Sequence, residues 1–300
     1  MTRDPHPALR PFVQRVWVTG APDAPVPRAA TRERVLPTGS MHVVIRFDRA
    51  PLVLFDDASG ARPRRLGHGV VGGARSSYYV KSVVETSGSV GAQLVPGAAA
   101  MLFGSPASEL AETHTSLDEL FGADVSRTTD DLAEARTAER KLELFEQLLL
   151  SRIAKRTRKQ VATSTVHPAV AEALAMFDAG ASIASAVERS GYSHRTFLTL
   201  FRTAVGLTPK VYCRIQRFQQ VLERVVDREA ALVDVAFDAG YADQAHLTRE
   251  FRAFAGITPV EYRMLAPAST NHVPILSSTR GETESRFKFL QDDADVMAAH

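Results

Sequence analysis

The chain has 300 residues, of which 45% are hydrophobic and 23% charged, and its formal net charge is +2. That length suits two domains of about 150 residues each, and the near-neutral balance means that any nucleic-acid site must come from local clustering of charge. A single cysteine, Cys213, excludes both a disulfide framework and a four-cysteine zinc site.

The opening "MTRDPHPALRPF" lacks a basic segment followed by a long apolar run, so no secretory signal is expected. No stretch of about 18 apolar residues predicts a membrane span, and the expected setting is the cytoplasm. Residues 1 to about 100 alternate short apolar runs with Gly, Pro, Ser and Asp. "FVQRVWV", "MHVVIRF", "PLVLF", "HGVVGG", "YYVKSVV" and "SVGAQLV" read as strands, with a turn at Thr38-Gly39. That rhythm predicts an all-β sandwich or barrel. After Pro96, "PGAAAMLFG", "PASEL" and "TSLDELFG" read as short helices. Leu142, Phe145, Leu149 and Ile153 then fall at helical spacing on one stripe. Five cations lie between Arg152 and Lys159 with no acidic residue among them. They suit a solvated helix end or, alternatively, a nonspecific phosphate contact.

Enzyme-like signals in this half are weak. "GHGVVG", residues 67 to 72, spells a dinucleotide-binding pattern. It lacks the preceding strand and following helix that the chemistry needs, so its glycines read as turn glycines between strands. His42, His68 and His114 lie in the β-rich part, but no pair has the spacing of metal ligands on one face. Trp17, Phe47, Phe55, Tyr78 and Tyr79 suit either a ligand cavity or an ordinary core. No catalytic residue, cofactor-binding residue or metal ligand is assigned, and no cofactor is expected.

His167-Pro168 opens a helical region in which Val170, Leu174 and Phe177 line one face. Within it one unit occurs twice. "GYSHRTFLTLFRTAVGLTPKVY" spans residues 191 to 212, and "GYADQAHLTREFRAFAGITPVEY" spans 240 to 262 with one residue more. Each is preceded by a short helix, "SIASAVERS" or "LVDVAFDA", and a glycine suited to a left-handed turn. Each continues as a second helix, expected from His194 to Val205 and from Asp243 to Ala255, with Ser193 and Asp243 at the N-cap positions. Phe197, Leu200 and Phe201 form the apolar face of the first such helix. Leu247, Phe251 and Phe254 form that of the second. Each unit ends in Gly-apolar-Thr-Pro, a cap and start for another helix. Between the units, Val211, Ile215, Phe218, Leu222 and Val225 repeat at four, three, four and three, which predicts one long amphipathic helix. Such a rod can hold two reading heads in successive major grooves about 34 Å apart. After Pro267 a polar tail contains "RFKFLQ", which alternates like a strand; pairing onto the first domain and disorder are both open.

"SGYSHRTFLTLFRTAVGLTPKVY" and "AFDAGYADQAHLTREFRAFAGITPVEYR" resemble the tandem helix-turn-helix domain of the AraC/XylS family of bacterial transcription regulators. "VLPTGSMHVVIRF" and the segment from "LVPGAAAMLFG" to "SLDELFG" are similar to sensory domains attached to such regulators. The resemblance implies an α+β chain of two domains. Residues 1–155 form a β-rich, barrel- or sandwich-like sensory or dimerisation domain with short helices. Residues 165–266 form an all-α tandem helix-turn-helix domain, and 267–300 a tail. By position in the motif, Arg195, Leu198 and Thr199 in the first unit and Gln244, Ala245 and Arg249 in the second fall where the family reads bases. His246 is placed to reach a phosphate or a base edge, while Arg202 and Arg252 suit phosphates or surface carboxylates rather than bases. Leu198 and Thr199 depart from the longer polar residues frequent there, and Leu198 suits either a thymine methyl or the core. The implied partners are double-stranded DNA, RNA polymerase, an unidentified small-molecule effector and a second copy as homodimer. Two rivals are a metal-dependent cupin-like enzyme with a regulatory helical part, and a protein-interaction adaptor.

Overall fold

A computed structural model describes residues 1–20, 30–48, 52–55, 62–83, 88–158 and 166–276. The "RFKFLQ" segment and Lys159 lie outside the described residues. The alternating runs of the first hundred residues form antiparallel strands. In chain order these are β1 (Thr2–Arg3), β2 (Val13–Thr19), β3 (Ala30–Val35), β4 (His42–Arg46), β5 (Val53–Phe55), β6 (Pro63–Arg65), β7 (Gly69–Gly72), β8 (Tyr79–Ser82) and β9 (Ser89–Leu94), followed later by β10 (His114–Ser116) and β11 (His272–Leu276). They build two sheets, in the orders β1-β2-β9-β4-β7-β10 and β11-β3-β8-β5-β6. Among the described residues neither order closes on itself, which makes two open sheets rather than a barrel.

Period-two alternation sorts the side chains. On β2, Val16 and Val18 are buried while Arg15 is exposed and Trp17 half-buried; on β4, Val43 and Ile45 are fully buried while His42 and Val44 are half-buried. The run read as a strand in "HGVVGG" is β7, and Gly69 and Gly72, read as turn glycines, lie within it. Gly69–Gly72 pairs with both β4 and β10 and is wholly buried. Gly72 is required there because a Cβ would come within 2.1 Å of the His42 ring.

Short helices α1 (Ala98–Phe103), α2 (Ala107–Leu110), α3 (Leu117–Phe121) and α4 (Asp124–Glu134) lead into α5 (Ala138–Thr157). Leu142, Phe145 and Leu149 of α5 are fully buried, and Ile153 packs at the edge of the core. Three cations of the basic run at the end of α5 have partners, while Lys155 and Arg158 remain exposed. Arg152 donates to the Leu120 carbonyl and lies over the Phe121 ring, Lys155 pairs with Asp124 at 2.6 Å, and Arg156 donates to the Phe103 carbonyl. Two of these cations therefore satisfy carbonyls in the last turns of α3 and α1, which would otherwise lack helical partners.

The helical half comprises α6 (Pro168–Asp178), α7 (Ile183–Ser190), α8 (His194–Val205), α9 (Pro209–Val225), α10 (Leu232–Asp238), α11 (Gln244–Ala255) and α12 (Pro259–Leu265). It is joined to the sheets along a continuous core. Gly97 N–H donates to the Ala204 carbonyl of α8, and Gln219 of α9 donates to Pro37 O and to Asn271 Oδ1, each at 2.8 Å. Gln216 donates to Thr38 O at 3.3 Å. Gly39 sits at φ 78° in the expected turn, and a Cβ there would meet Gln216 at 2.7 Å, so the turn is the place where α9 approaches the sheet. After α12 the chain returns to the sheets. β11 adds an edge strand to β3, with its only proline, Pro274, tolerated because an edge strand has one unpaired side.

Candidate nucleic-acid interface

Each repeat folds as helix, turn, helix. Gly191 and Gly240 both take left-handed φ, 69° and 73°, just past α7 and α10. Ser193 then accepts from Thr196 N–H at 3.2 Å and Asp243 from His246 N–H at 2.6 Å, capping α8 and α11. The extra residue of the second unit is thereby located. It is Ala242, inserted in the turn, and the two capped helices are equally long at 12 residues. Residue for residue, His194–Val205 matches Gln244–Ala255, so Arg195 corresponds to Ala245, Thr199 to Arg249 and Arg202 to Arg252.

One face of each capped helix is consumed by packing. Phe197 and Phe201 of α8, and Leu247, Phe251 and Phe254 of α11, are buried. The opposite face is open: Arg195, Thr199 and Arg202 on α8 and Gln244, Ala245, Arg249 and Arg252 on α11 are all exposed. Leu198 is half-buried and packs against the core, which takes it towards the second of its two readings. His246 is half-buried, edge-on to Tyr241, and its Nδ1 accepts from Ala242 N–H at 3.4 Å. Thr199 spends its hydroxyl hydrogen on the Arg195 carbonyl, as Thr248 does on that of Gln244, so each offers a ligand mainly its methyl group and oxygen lone pairs.

The 17-residue α9 is capped by Thr208, and at 1.5 Å per residue it spans about 25 Å. Three stripes divide its surface. Ile215, Phe218, Leu222 and Val225 are fully buried. Tyr212 packs edge-on to Phe201 of the first unit, and Phe218 lies 5.2 and 5.1 Å from the Phe251 and Phe254 rings of the second. Gln216 and Gln219 form the second stripe, tied to the sheets as above. The third, absent from the sequence reading, is basic. Lys210, Arg214 and Arg217 recur at helical spacing and line a groove that His246 and Glu250 of α11 and Ile183 of α7 complete. Arg214 is paired with Glu250 and lies over Phe254, and Arg217 lies over Tyr241. The spacing of four and three was visible in the sequence, but only the fold turns that stripe toward α11 and the start of α7. Cys213 is half-buried in the same groove, and burial pushes its thiol up, away from reactivity.

The first half holds a separate cavity of about 400 Å³ between its sheets. Trp17 and Tyr79 line it; Tyr78, Phe47 and Phe55 do not. His42 and His114, distant in sequence, meet beside it with ring centroids 5.9 Å apart, and Tyr79 lies 4.4 Å from His114. Burial, reinforced by nearby cations, drives the His42 imidazole down to about 4 and that of His114 lower still, so both are neutral at pH 7. His68 stands outside this cluster of rings. Among the described residues no three His, Cys, Asp or Glu converge as metal ligands, and no helix is long and apolar enough to cross a membrane.

Residues 169–264 match the family described as "Helix-turn-helix domain", and residues 1–116 match a domain of unknown function, DUF6597. The virulence regulon transcriptional activator VirF of Yersinia enterocolitica is 29% identical over 80 residues, 27% of this chain and 30% of that protein. The chain thus spans less than a third of that relative's length. The regulatory protein SoxS of Salmonella typhimurium is 33% identical over 76 residues, 25% of this chain and 71% of SoxS. Among solved structures, ToxT from Vibrio cholerae superposes with a TM-score of 0.44 at 9% identity, covering 85% of this chain and 98% of that one.

Proposed function

Because the chain belongs to the AraC/XylS family of helix-turn-helix transcription regulators, we propose that it binds double-stranded DNA sequence-specifically, with α8 and α11 in two successive major grooves. The observation that carries this reading is the pairing of two capped helices of equal length, each with its apolar face buried and its polar face free, on one continuous α9. In this reading Arg195 and Arg249 grip guanine edges, Gln244 reads adenine, and Thr199, Ala245 and the open part of Leu198 contact thymine methyls or adjacent sugar. Arg202, Arg252 and His246 hold phosphates. The basic stripe of α9 faces the strand that passes between the two grooves. Residues 1–155 sense an effector or dimerise, 165–266 bind DNA, and RNA polymerase is the downstream partner of a cytoplasmic regulator that performs no catalysis.

Arg249→Ala is expected to weaken binding to the cognate duplex by about 1–3 kcal/mol and to relax preference at one base pair. A gel-shift series over single-base variants measures both; unchanged affinity together with unchanged preference removes Arg249 from the reading set. Arg217→Gln is expected to act differently, lowering affinity evenly across sequences and reducing the salt slope by about one. A change of preference confined to one base would contradict its place on the backbone.

A further inference from the structure

The cavity between the sheets is electropositive. Among the described residues its lining includes Arg15, Arg75 and Lys81 but no aspartate or glutamate. Lys81 is neutralised from behind the wall by Glu33, 2.9 Å away. Arg15, at the exposed rim, and Arg75, deeper in, form no ion pair among the described residues. Arg75 lies over the Tyr79 ring at 5.4 Å and reaches Nδ1 of His114 at 3.3 Å, yet its Nε is buried without a hydrogen-bond partner. Glu112 is the carboxylate nearest enough to act on Arg75, and it is engaged by Ser76 N–H. A buried cationic donor left unpaired is costly, and an acceptor on a ligand that reaches it recovers that cost. Tyr79 supplies a flat aromatic wall beside Arg75, Trp17 lines the same cavity, and the volume of about 400 Å³ is that of a small-molecule site.

We propose that this cavity binds a small organic acid, its carboxylate held by Arg75 with Arg15 guarding the mouth, and its apolar body lodged between Trp17 and Tyr79. A forked, charge-assisted contact from a guanidinium suits a carboxylate better than a neutral amide. The same cavity wall includes Thr38, whose carbonyl accepts from Gln216 of α9, and Asn271, which accepts from Gln219 of α9. An occupant therefore touches the segments that fasten the helical half to the sheets, and shifts the DNA-binding state by its difference in affinity for the two arrangements. That regulatory consequence rests on the DNA-binding reading above; the binding of the acid does not.

Trp17 is the chain's only tryptophan and lines this cavity, so its fluorescence reports changes at the cavity wall. The full chain is titrated with phenylacetate and 4-phenylbutyrate, each against its own primary amide, with calorimetry in parallel. At least one acid is expected to give a saturable change and to bind about tenfold or more tightly than its amide. Arg75→Gln is expected to abolish that preference, and Arg15→Gln, at the rim where folding is not at stake, to reduce it. Amides that bind as well as the acids, acids that give no saturable change at millimolar concentration, or a preference untouched in both folded variants would each overturn the site. Repeating the titration with duplex bound separates the two claims. Acid binding without any change in DNA affinity overturns the coupling and leaves the site, whereas loss of DNA binding in all conditions bears on the regulator reading alone.

Discussion

Phe218→Ala is expected to destabilise the protein by about 3–5 kcal/mol, the range for truncating a fully buried phenylalanine. Phe218 is completely buried on α9 and touches the rings of both Phe251 and Phe254, so it is the joint between the rod and the second reading unit. Its removal opens a cavity at that joint, and the ring contacts go with it. The first unit holds the rod through Tyr212 and Phe201 instead. Hydrogen exchange on the variant is therefore expected to show protection falling first in α10 to α12. Denaturant unfolding with a loss below about 1 kcal/mol would contradict the assigned role.

Glu146→Ala is expected to cost about 3 kcal/mol, the lower end for breaking a buried ion pair. Glu146 lies on α5 with only 7% of its side chain exposed. Both of its oxygens are taken by the Arg3 guanidinium at 3.2 and 2.7 Å, and Oε1 also accepts from His6 N–H at 2.7 Å. The substitution leaves the partly exposed Arg3 guanidinium and the His6 N–H without their carboxylate partner. Because Arg3 keeps 32% exposure, water recovers part of the loss. Glu146→Gln retains an acceptor and is expected to fall between the two. An alanine variant as stable as the parent would show that the amino-terminal strand is held by β1–β2 pairing alone.

The reading units were legible because every device in them is local. Ser193, Asp243 and Thr208 cap helices a few residues downstream, Gly191 and Gly240 sit just past helix ends, and the apolar residues repeat at helical spacing. The sheets were legible only as a list of strands. Pairing β2 with β9 and β9 with β4 joins segments far apart in the chain, and alternation does not name a strand's neighbour. Strand β3 escaped notice because it reads "ATRERV", with no apolar alternation. Its Glu33 is met by Lys81 and His272, and its Arg32 and Arg34 lie over Phe55 and Tyr78. Burial works against the Glu33 carboxylate, but hydrogen bonds and charge from His272 and Lys81 win, holding it at about 2. The return strand β11 was equally hidden. "HVPIL" carries a proline that argues against a strand until the edge position is known, while the strand-like "RFKFLQ" further on lies outside the described residues. The cavity's charge was illegible for the same reason as the sheets: Arg15, Arg75 and Lys81 converge only after folding.

The central claim is geometric, that α9 presents α8 and α11 to one side of a duplex at a fixed separation. Selecting bound fragments from random duplex DNA with the full chain, and sequencing them, measures that separation directly. The expected outcome is a motif of two blocks whose centres lie about one helical turn, roughly 10 base pairs, apart at constant spacing. A single block, or two blocks whose spacing drifts from fragment to fragment, would contradict a rigid rod carrying two reading helices.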